Sequence, residues 1–239
     1  MARAFAILLP PSKATAPGGS GPPWQPGAGA LPELDGARAE VLAALDPGGR
    51  AVAAAPTRPA LERYAGVLYR ELDPGSLPAP ARRRLRATAL VFSGLGGVVA
   101  PADPVPDHRL EMGARLAPLG RLSTWWRPRL TAALADRLAR RVVWDLLPAE
   151  HAAAWDPGAV PWARRITVRF VTAEGATVSH WNKLLKGALV RHLVATGLDD
   201  PAGLAAFDHP AGYRLDRRAS SLDGPTAAVV LRARGAPGG

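Results

Sequence analysis

The chain has 239 residues, of which 48% are hydrophobic and 21% are charged, and its formal net charge at pH 7 is +10. It contains no cysteine, which excludes disulfides, thiolate catalysis and iron–sulfur ligation by cysteine. The basic excess favours polyanionic partners such as nucleic acid or nucleotides, although an Arg-rich proteome produces the same balance without such a partner.

The N-terminal segment MARAFAILLPPSK has an apolar run that is too short for a secretory signal peptide. No stretch of the chain reaches the roughly 20 apolar residues that a membrane helix needs. We therefore expect a cytoplasmic protein with no membrane partner.

Hydrophobic periodicity and turn residues predict the elements in chain order. The first half is predicted to form a strand at 4–9, a helix at 34–45, a helix at 58–72 interrupted near Gly66, and a basic helical turn that runs into a strand within 80–95. The second half is predicted to form a loop or turn at 94–106, a helix at 125–141, a strand at 141–147, a hairpin around Glu174 and Gly175, a helix at 179–194, and a last strand before the C-terminus.

These elements do not alternate as clean βαβ units, so we expect an α+β fold, that is, an irregular mixed α/β fold. The length of the chain, 1–239, permits one large domain or two small ones. A Pro/Gly-rich excursion at about 14–29 is expected to be flexible or irregular, and the tail is expected to fray from about 234.

The loop LPPSK follows the first predicted strand and carries Ser12 and Lys13 at its tip. The ends of strands are where α/β proteins usually place ligands. The loop lacks the glycine frame of a P-loop, and an ordinary solvent-facing turn has the same composition.

The helix predicted from Ser179 has a basic face. Spacings of three and four residues place His180, Lys183, Gly187 and Arg191 on one side, with Lys186 at its edge. Gly187 leaves room for a backbone or a phosphate to approach closely. This face is a candidate anion-binding site, although a solvated basic face has the same spacing.

Two further segments carry candidate binding residues. In DHRLEMG, Arg109 and Glu111 lie on the same side if the segment is extended, where they would clamp a ligand, position an acid or form a structural ion pair. SGLGG, which begins with Ser93 and Gly94, is similar to the hairpin of helix-hairpin-helix modules, whose backbone N–H groups bind DNA phosphates.

The five histidines are scattered along the chain and do not have the spacing of metal ligands beside a carboxylate. We therefore predict no metal site and no cofactor.

Six segments, taken together and in this order, resemble the YaaA family of peroxide-stress proteins. ILLPPSK resembles the opening of the family, RYAGVLYREL its F-x-G-D-V-Y-x-G-L segment, and SGLGGVVAPADPVPDHRLEMG its S-G-L-Y-G-V-L-R-P-L-D…Y-R-L-E-M-G block. VVWDLLPAEH resembles V-V-N-L-A-S-x-E-Y, VSHWNKLLKGALVRHLV resembles S-F-Y-A-K-K-A-R-G-x-M-x-R-F-I, and FDHPAGYRLDRRASS resembles F-x-x-x-G-Y-x-F-D-x-x-S-S.

The resemblance implies a cytoplasmic protein linked to hydrogen peroxide stress and to limiting free iron and DNA damage. It also implies a single-domain mixed fold with a positively charged cleft and a helix-hairpin-helix-like element that binds duplex DNA. No settled enzymatic activity comes with it. The positions that match the family are Ser12, Lys13, Gly66, Tyr69, Ser93, Gly94, Asp103, Arg109, Glu111, Gly113, Glu150, Lys183, Gly187, Arg191, Gly212 and Tyr213.

Some positions depart from the family segments. Val67 stands where the family has Asp, Gly96 where it has Tyr, Asp145 where it has Asn, and Lys186 where it has Arg. The residues at 180–182, His-Trp-Asn, replace Phe-Tyr-Ala. These changes are compatible with a specialised member that has a different ligand.

Two functions remain open from the sequence. In the first, Lys13, Lys183, Lys186 and Arg191 neutralise DNA phosphates and limit oxidative damage at the DNA. In the second, the protein is an enzyme that acts on a nucleobase, nucleoside or nucleotide in the same cleft, with candidate catalytic residues Glu111, Glu150 and Lys13. Direct binding of iron is not expected from this set of side chains.

Overall fold

The computed structural model describes residues 4–45, 48–178 and 181–234. Its strands are β1 (Phe5–Leu9), β2 (Thr57–Pro59), β3 (Ala89–Ser93), β4 (Gly97–Val99), β5 (Pro104–Pro106), β6 (Arg115–Leu116), β7 (Gly120–Arg121), β8 (Val142–Asp145), β9 (Arg164–Val171), β10 (Tyr213–Leu215) and β11 (Thr226–Ala233). Its α-helices are α1 (Asp35–Ala44), α2 (Gly48–Ala54), α3 (Ala60–Arg63), α4 (Val67–Leu72), α5 (Ala79–Thr88), α6 (Leu122–Leu138), α7 (Ala149–Ala152) and α8 (Asn182–Thr196).

Seven strands form the main sheet, in the order β10-β11-β9-β8-β1-β3-β4. The five strands from β11 to β3 are parallel, and β10 and β4 add an antiparallel strand at each edge. The predicted mixed fold of helices and strands is confirmed, and its centre is a more regular parallel sheet than the sequence indicated.

The chain reverses direction across the sheet at β1. From β1 it crosses to β3 on one side, and it then returns to β8 on the other side of β1. In open parallel sheets, such a reversal separates the loops at the carboxyl ends of the two strands and leaves a crevice where ligands bind. The topology therefore places a crevice at the carboxyl ends of β1 and β8.

Strand β1 is apolar throughout because both of its faces are buried, as expected for a central parallel strand. Phe5, Ile7 and Leu9 pack into a core that includes residues of α4, α5 and α8. Ala6 and Leu8 pack into a second core on the opposite face, which includes residues of α1 and α6. The helices therefore cover both faces of the sheet.

Several boundaries differ from the sequence prediction. The helix at 58–72 is broken at Gly66 as predicted, into α3 and α4. The segment 94–106 was predicted to be loop or turn, but it includes β4 and β5, because β4 pairs with β3 and β5 pairs with β2. The hairpin near Glu174 is closed by a bridge between Val171 and Thr177, and its returning side is not part of a strand within the described residues.

The backbone of the excursion at 14–29 is tied to the rest of the fold. The amide of Ala16 donates to the carbonyl of Arg63, and Gly21 exchanges backbone hydrogen bonds with Thr57. The predicted start of the last helix at Ser179 and His180, and the predicted frayed tail beyond Arg234, lie outside the described residues. Among the helices of the described chain, none is long and apolar enough to cross a membrane.

The segment SGLGG is the turn of a β-hairpin. It connects β3 to β4, and all its residues are buried. Strands rather than helices flank this turn, so the structure does not confirm a helix-hairpin-helix-like element here. Burial also keeps its backbone N–H groups from a DNA phosphate.

Candidate functional site

A cleft of about 750 Å³ lies at the carboxyl ends of β1 and β8, where the sheet reverses. We call it the switch-point cleft. It collects side chains from the loops after β1, β5 and β8 and from the first turns of α4 and α8. Its lining residues are Pro10, Pro11, Ser12, Lys13, Ala14, Tyr64, Gly66, Val67, Leu68, Arg70, His108, Arg109, Leu110, Glu111, Pro148, Glu150, His151, Asn182, Lys183 and Lys186.

The LPPSK loop leaves β1 and forms one wall of the cleft. The hydroxyl of Tyr69 donates to the carbonyl of Pro10 at 2.8 Å, and the hydroxyl of Ser12 accepts from the amide of Ala14 at 3.2 Å. Gly66 lies against Ser12 so closely that a Cβ at position 66 would overlap the Ser12 hydroxyl. Glycine at this position therefore lets the start of α4 approach the loop.

Lys13 and Glu111 form an ion pair at the mouth of the cleft. Their charged atoms are 2.7 Å apart, and the side chains are 78% and 51% exposed. Their mutual hydrogen bond and charge raise the pKa of the Lys13 ammonium and lower the pKa of the Glu111 carboxyl. The pairing of Glu111 with Arg109 considered from the sequence does not occur, because Glu111 turns to Lys13 and Arg109 is exposed on the cleft wall.

Glu150 comes from α7, directly after β8. Its carboxylate accepts from the amide of Gly113 at 2.6 Å. A Cβ at position 113 would lie 2.8 Å from the same carboxylate oxygen, so glycine is what allows this contact. The hydrogen bond joins the DHRLEMG segment to the loop after β8 and places two carboxylates, Glu111 and Glu150, in one cleft.

Helix α8 contributes two of the three lysines. Lys183 is exposed on the cleft wall. Lys186 is buried, and its ammonium donates to the carbonyl of Leu146 at 2.7 Å. Burial lowers the pKa of Lys186, and the charge of Asp145 opposes that effect.

Two predicted residues of the same helix face away from the cleft. A Cβ on Gly187 would overlap the carbonyl oxygen of Leu68 and lie 2.8 Å from the Cβ of Glu71, so the close approach expected at this glycine is made by the backbone of α4. Arg191 donates to the carbonyls of Leu72 and Asp73 at 3.0 and 3.2 Å and so caps the end of α4. Neither lines the cleft.

Ser93 and Gly94 are also outside the cleft lining. The Ser93 hydroxyl accepts from the amide of Gly96 at 3.2 Å and lies 3.5 Å from Nε2 of His108. The carbonyl of Gly94 accepts from the indole N–H of Trp126 at 2.9 Å. Ser93 therefore stabilises the turn of the β3–β4 hairpin, and Gly94 joins the hairpin to α6.

Two histidines and an asparagine of the cleft were not predicted from the sequence. Burial lowers the pKa of His108 to about 4, and its Nδ1 accepts from the amide of Leu110 at 3.2 Å. His151 is buried, and its pKa is lowered mainly by burial. Asn182 is the first residue of α8. The available signal was their place within the family-like segments, since His151 directly follows Glu150 and Asn182 directly precedes Lys183.

In the part of the chain that the structure describes, no three His, Cys, Asp or Glu side chains are grouped so as to hold a metal ion.

Comparison with known proteins identifies the family. The family profile described as peroxide stress protein YaaA matches residues 32–219. The chain belongs to this family. A UPF0246 protein of Streptomyces coelicolor is 38% identical over 91% of this chain and 94% of its own length. UPF0246 proteins of Corynebacterium glutamicum and Ruegeria pomeroyi are each 34% identical, over 78% and 74% of this chain and 84% and 70% of their own lengths.

The predicted membership of the YaaA family is therefore confirmed, and with it the association with peroxide stress. The departures from the family segments fall in different places. Val67, Asn182 and Lys186 line the cleft, whereas Gly96 is buried in the β3–β4 hairpin and Asp145 is buried at the end of β8. Asp145 accepts from the guanidinium of Arg165 at 2.9 Å.

Proposed function

We propose that this YaaA-family protein acts in peroxide stress by binding DNA in the switch-point cleft. The observation that carries the proposal is that the described residues lining one cleft include five basic side chains and two carboxylates. The basic residues are Lys13, Arg70, Arg109, Lys183 and Lys186. Phosphate neutralisation by such groups supplies most of the affinity of sequence-independent DNA binding.

Two of these cations are best placed to meet phosphates. Arg109 and Lys183 are exposed, and neither has an ion pair or hydrogen bond to another described residue. Lys13 already pairs with Glu111, and Lys186 already bonds to Leu146. We therefore assign phosphate contact to Arg109 and Lys183, which we call the rim cations. In this proposal, the protein limits iron-dependent oxidative damage to DNA by binding to the DNA itself.

The test is binding of labelled duplex and single-stranded DNA by fluorescence anisotropy across a salt series. Binding should weaken steeply with salt, and the Arg109→Ala/Lys183→Ala double variant should reduce the slope of log K against log salt by about two units, because each lost phosphate contact removes about one. Arg137→Ala is the matched control, since Arg137 is an exposed arginine on α6 that lines a different groove. Salt-independent binding, or an equal loss in the control, contradicts the proposal.

A second candidate is an enzyme that acts on a nucleobase, nucleoside or nucleotide in the same cleft. The observation that favours it is the convergence of Glu111, Glu150, Lys13 and His151, which is more than phosphate binding requires. Carboxyl and imidazole groups at the carboxyl edge of a parallel sheet are the usual proton-transfer groups of α/β enzymes.

A panel of nucleosides and nucleotides, followed by chromatography, tests this second candidate. Glu111→Gln should abolish turnover and leave ligand binding largely intact. Because the Lys13–Glu111 pair is exposed, the same change should leave the free energy of unfolding nearly unchanged. Full turnover in Glu111→Gln and in Glu150→Gln would remove both carboxylates as catalytic residues.

A further inference from the structure

Three side chains that line the switch-point cleft, those of Tyr64, His151 and Asn182, have buried polar atoms with no hydrogen-bond partner among the described residues. His151 is 9% exposed, and neither of its ring nitrogens has a partner among the described residues. The side-chain oxygen of Asn182 is also buried and unpartnered. About 90% or more of buried polar groups in native proteins are paired. Orphan groups that line a cleft therefore indicate that a ligand supplies their hydrogen bonds.

Two of these orphan groups, on His151 and Asn182, come from elements that meet at the sheet edge. His151 lies in α7, which follows β8, and Asn182 begins α8. Lys186, one turn further along, is also on this wall and is held by Leu146. The wall is thus a fixed set of donors and acceptors.

This wall is suited to a neutral group. Burial lowers the pKa of His151, the charge of Lys186 acts in the same direction, and Glu150 and Glu111 oppose it. The neutral imidazole presents one N–H donor and one acceptor, and the amide of Asn182 presents both kinds of group. The exposed rim cations, Arg109 and Lys183, are suited to an anion instead.

The cleft therefore fits a ligand with a neutral hydrogen-bonding ring and an anionic group. Its volume of about 750 Å³ is within the range of small-molecule sites, roughly 300–1,000 Å³. Among the described residues, the large hydrophobic side chains that are exposed are Val67 and Trp181. Val67 lines the cleft, so the cleft offers exposed apolar surface to the flat face of a ring.

We propose that His151 and Asn182 form a base subsite, which binds the nucleobase of a nucleotide while the rim cations hold its phosphate. The inference rests on the proposed function in one respect, the assignment of the rim cations to phosphate. The nucleotide is either free or an unpaired unit of a DNA strand, and the two sources share the same chemistry.

Calorimetric titration with dAMP, dGMP, dCMP and dTMP tests the base subsite directly, with 2-deoxyribose 5-phosphate as the ligand that lacks a base. At least one nucleotide should bind about tenfold more tightly than the sugar phosphate, a difference of one well-formed set of hydrogen bonds. His151→Phe and Asn182→Ala should each bring this preference to within about twofold.

His192→Gln is the control, because His192 packs against Phe207 away from the cleft and should keep the preference. Asn182→Ala keeps the test decisive if His151→Phe does not fold, since Asn182 is only half-buried at the start of α8. A wild-type protein that binds the sugar phosphate as tightly as every nucleotide overturns the proposal, and so does a preference that survives both substitutions.

A second experiment distinguishes a free nucleotide from an unpaired unit of a DNA strand as the ligand of the base subsite. Single-stranded DNA with one abasic unit is compared with the intact strand in the anisotropy assay. Weaker binding of the abasic strand, lost in His151→Phe and Asn182→Ala, assigns the subsite to an unpaired unit of DNA. Equal binding of the two strands beside a preference among free nucleotides assigns it to a free nucleotide. Salt-dependent DNA binding with no nucleotide preference overturns the base subsite alone, and nucleotide preference without DNA binding overturns the proposed function alone.

Discussion

The two halves of helix α8 carry similar residues but have different roles, since the first half lines the cleft and the second half packs against α4. Lys183 and Lys186 lie in the first turns and line the switch-point cleft. Gly187 and Arg191 follow within the next two turns and pack against α4. The sequence places all four on or beside one basic face, yet only the first pair reaches the cleft.

The difference follows from how α4 and α8 pack. Gly187 meets Leu68 near the start of α4, and Arg191 meets Leu72 at its end, so the two helices run in the same direction. Their first turns therefore reach the same edge of the sheet, where the cleft opens. Residues further along α8 are covered by α4. On this side of α8, a basic side chain therefore reaches the cleft only in the turns that precede the contact with α4.

The largest expected effect is on the packing half of α8. Gly187→Ala should lower the free energy of unfolding by about 2–3 kcal/mol, because its Cβ would overlap the Leu68 carbonyl and crowd Glu71. Denaturant unfolding measures this change. Gly36→Ala is the control, since Gly36 lies in α1 and no atom lies within 4 Å of a Cβ added there. This change should raise the free energy of unfolding by roughly 0.5–1 kcal/mol, because alanine loses less backbone entropy in a helix than glycine does. Equal effects of the two changes would contradict the close packing of α4 on α8.

The next largest effect should be that of Arg191→Ala. It should lower the free energy of unfolding by about 1.5 kcal/mol, because the carbonyls of Leu72 and Asp73 lose a charged donor. Arg217→Ala, an exposed arginine after β10, should change stability by less than about 0.5 kcal/mol. Thermal melts of both variants check the difference. If Arg191→Ala lowers DNA affinity and leaves the melting temperature unchanged, Arg191 contacts DNA and does not stabilise the fold.

Lys186 lies at the boundary between the two halves of α8. Lys186→Met should lower the free energy of unfolding by about 1 kcal/mol, because the Leu146 carbonyl loses its hydrogen-bond donor. The pKa of Lys186 is lowered in the folded protein, so the unfolded chain binds more protons between the folded and unfolded pKa values. The stability of the wild type should therefore rise relative to Lys186→Met as pH increases toward the ordinary lysine pKa. Unfolding curves at pH 8 and above measure this, and parallel pH profiles would contradict the burial of the ammonium.

The smallest effect on stability should be at Lys183. Lys183→Ala should change the free energy of unfolding by less than about 0.5 kcal/mol, because the side chain is exposed. In the proposed function it should still lower DNA affinity and reduce the salt slope by about one unit. Loss of stability with unchanged DNA binding would reverse the assignment of the two halves of α8.

Local sequence patterns predicted much of the fold. The apolar runs at 4–9 and 141–147 became the central strands β1 and β8, because strands buried on both faces consist mostly of apolar residues. The break at Gly66 was also predicted, because the residues around a glycine indicate it directly. The short strands β4 and β5 were not, since each exists only through pairing with a distant or preceding strand in a segment rich in glycine and proline.

The candidate site was predicted in part. The loop after β1 and the loop after β8 were expected to hold ligand-binding residues, and the structure brings Lys13, Glu111 and Glu150 into one cleft. His151 was set aside because its spacing to other histidines is not that of a metal site. Its burial and its missing partners depend on the elements packed around it, and spacing carries no information about either.

The sequence by itself determined the apolar segments that become central strands, the positions of turns, the basic excess and the family-like motifs, because each depends on residues close together in the chain. Only the tertiary structure decided which cations line the cleft and which hold the fold. It also decided that Glu111 pairs with Lys13 and that His151 is buried with no partner among the described residues. These outcomes depend on which side of each element is covered by another, and that is fixed when the sheet and its helices pack together.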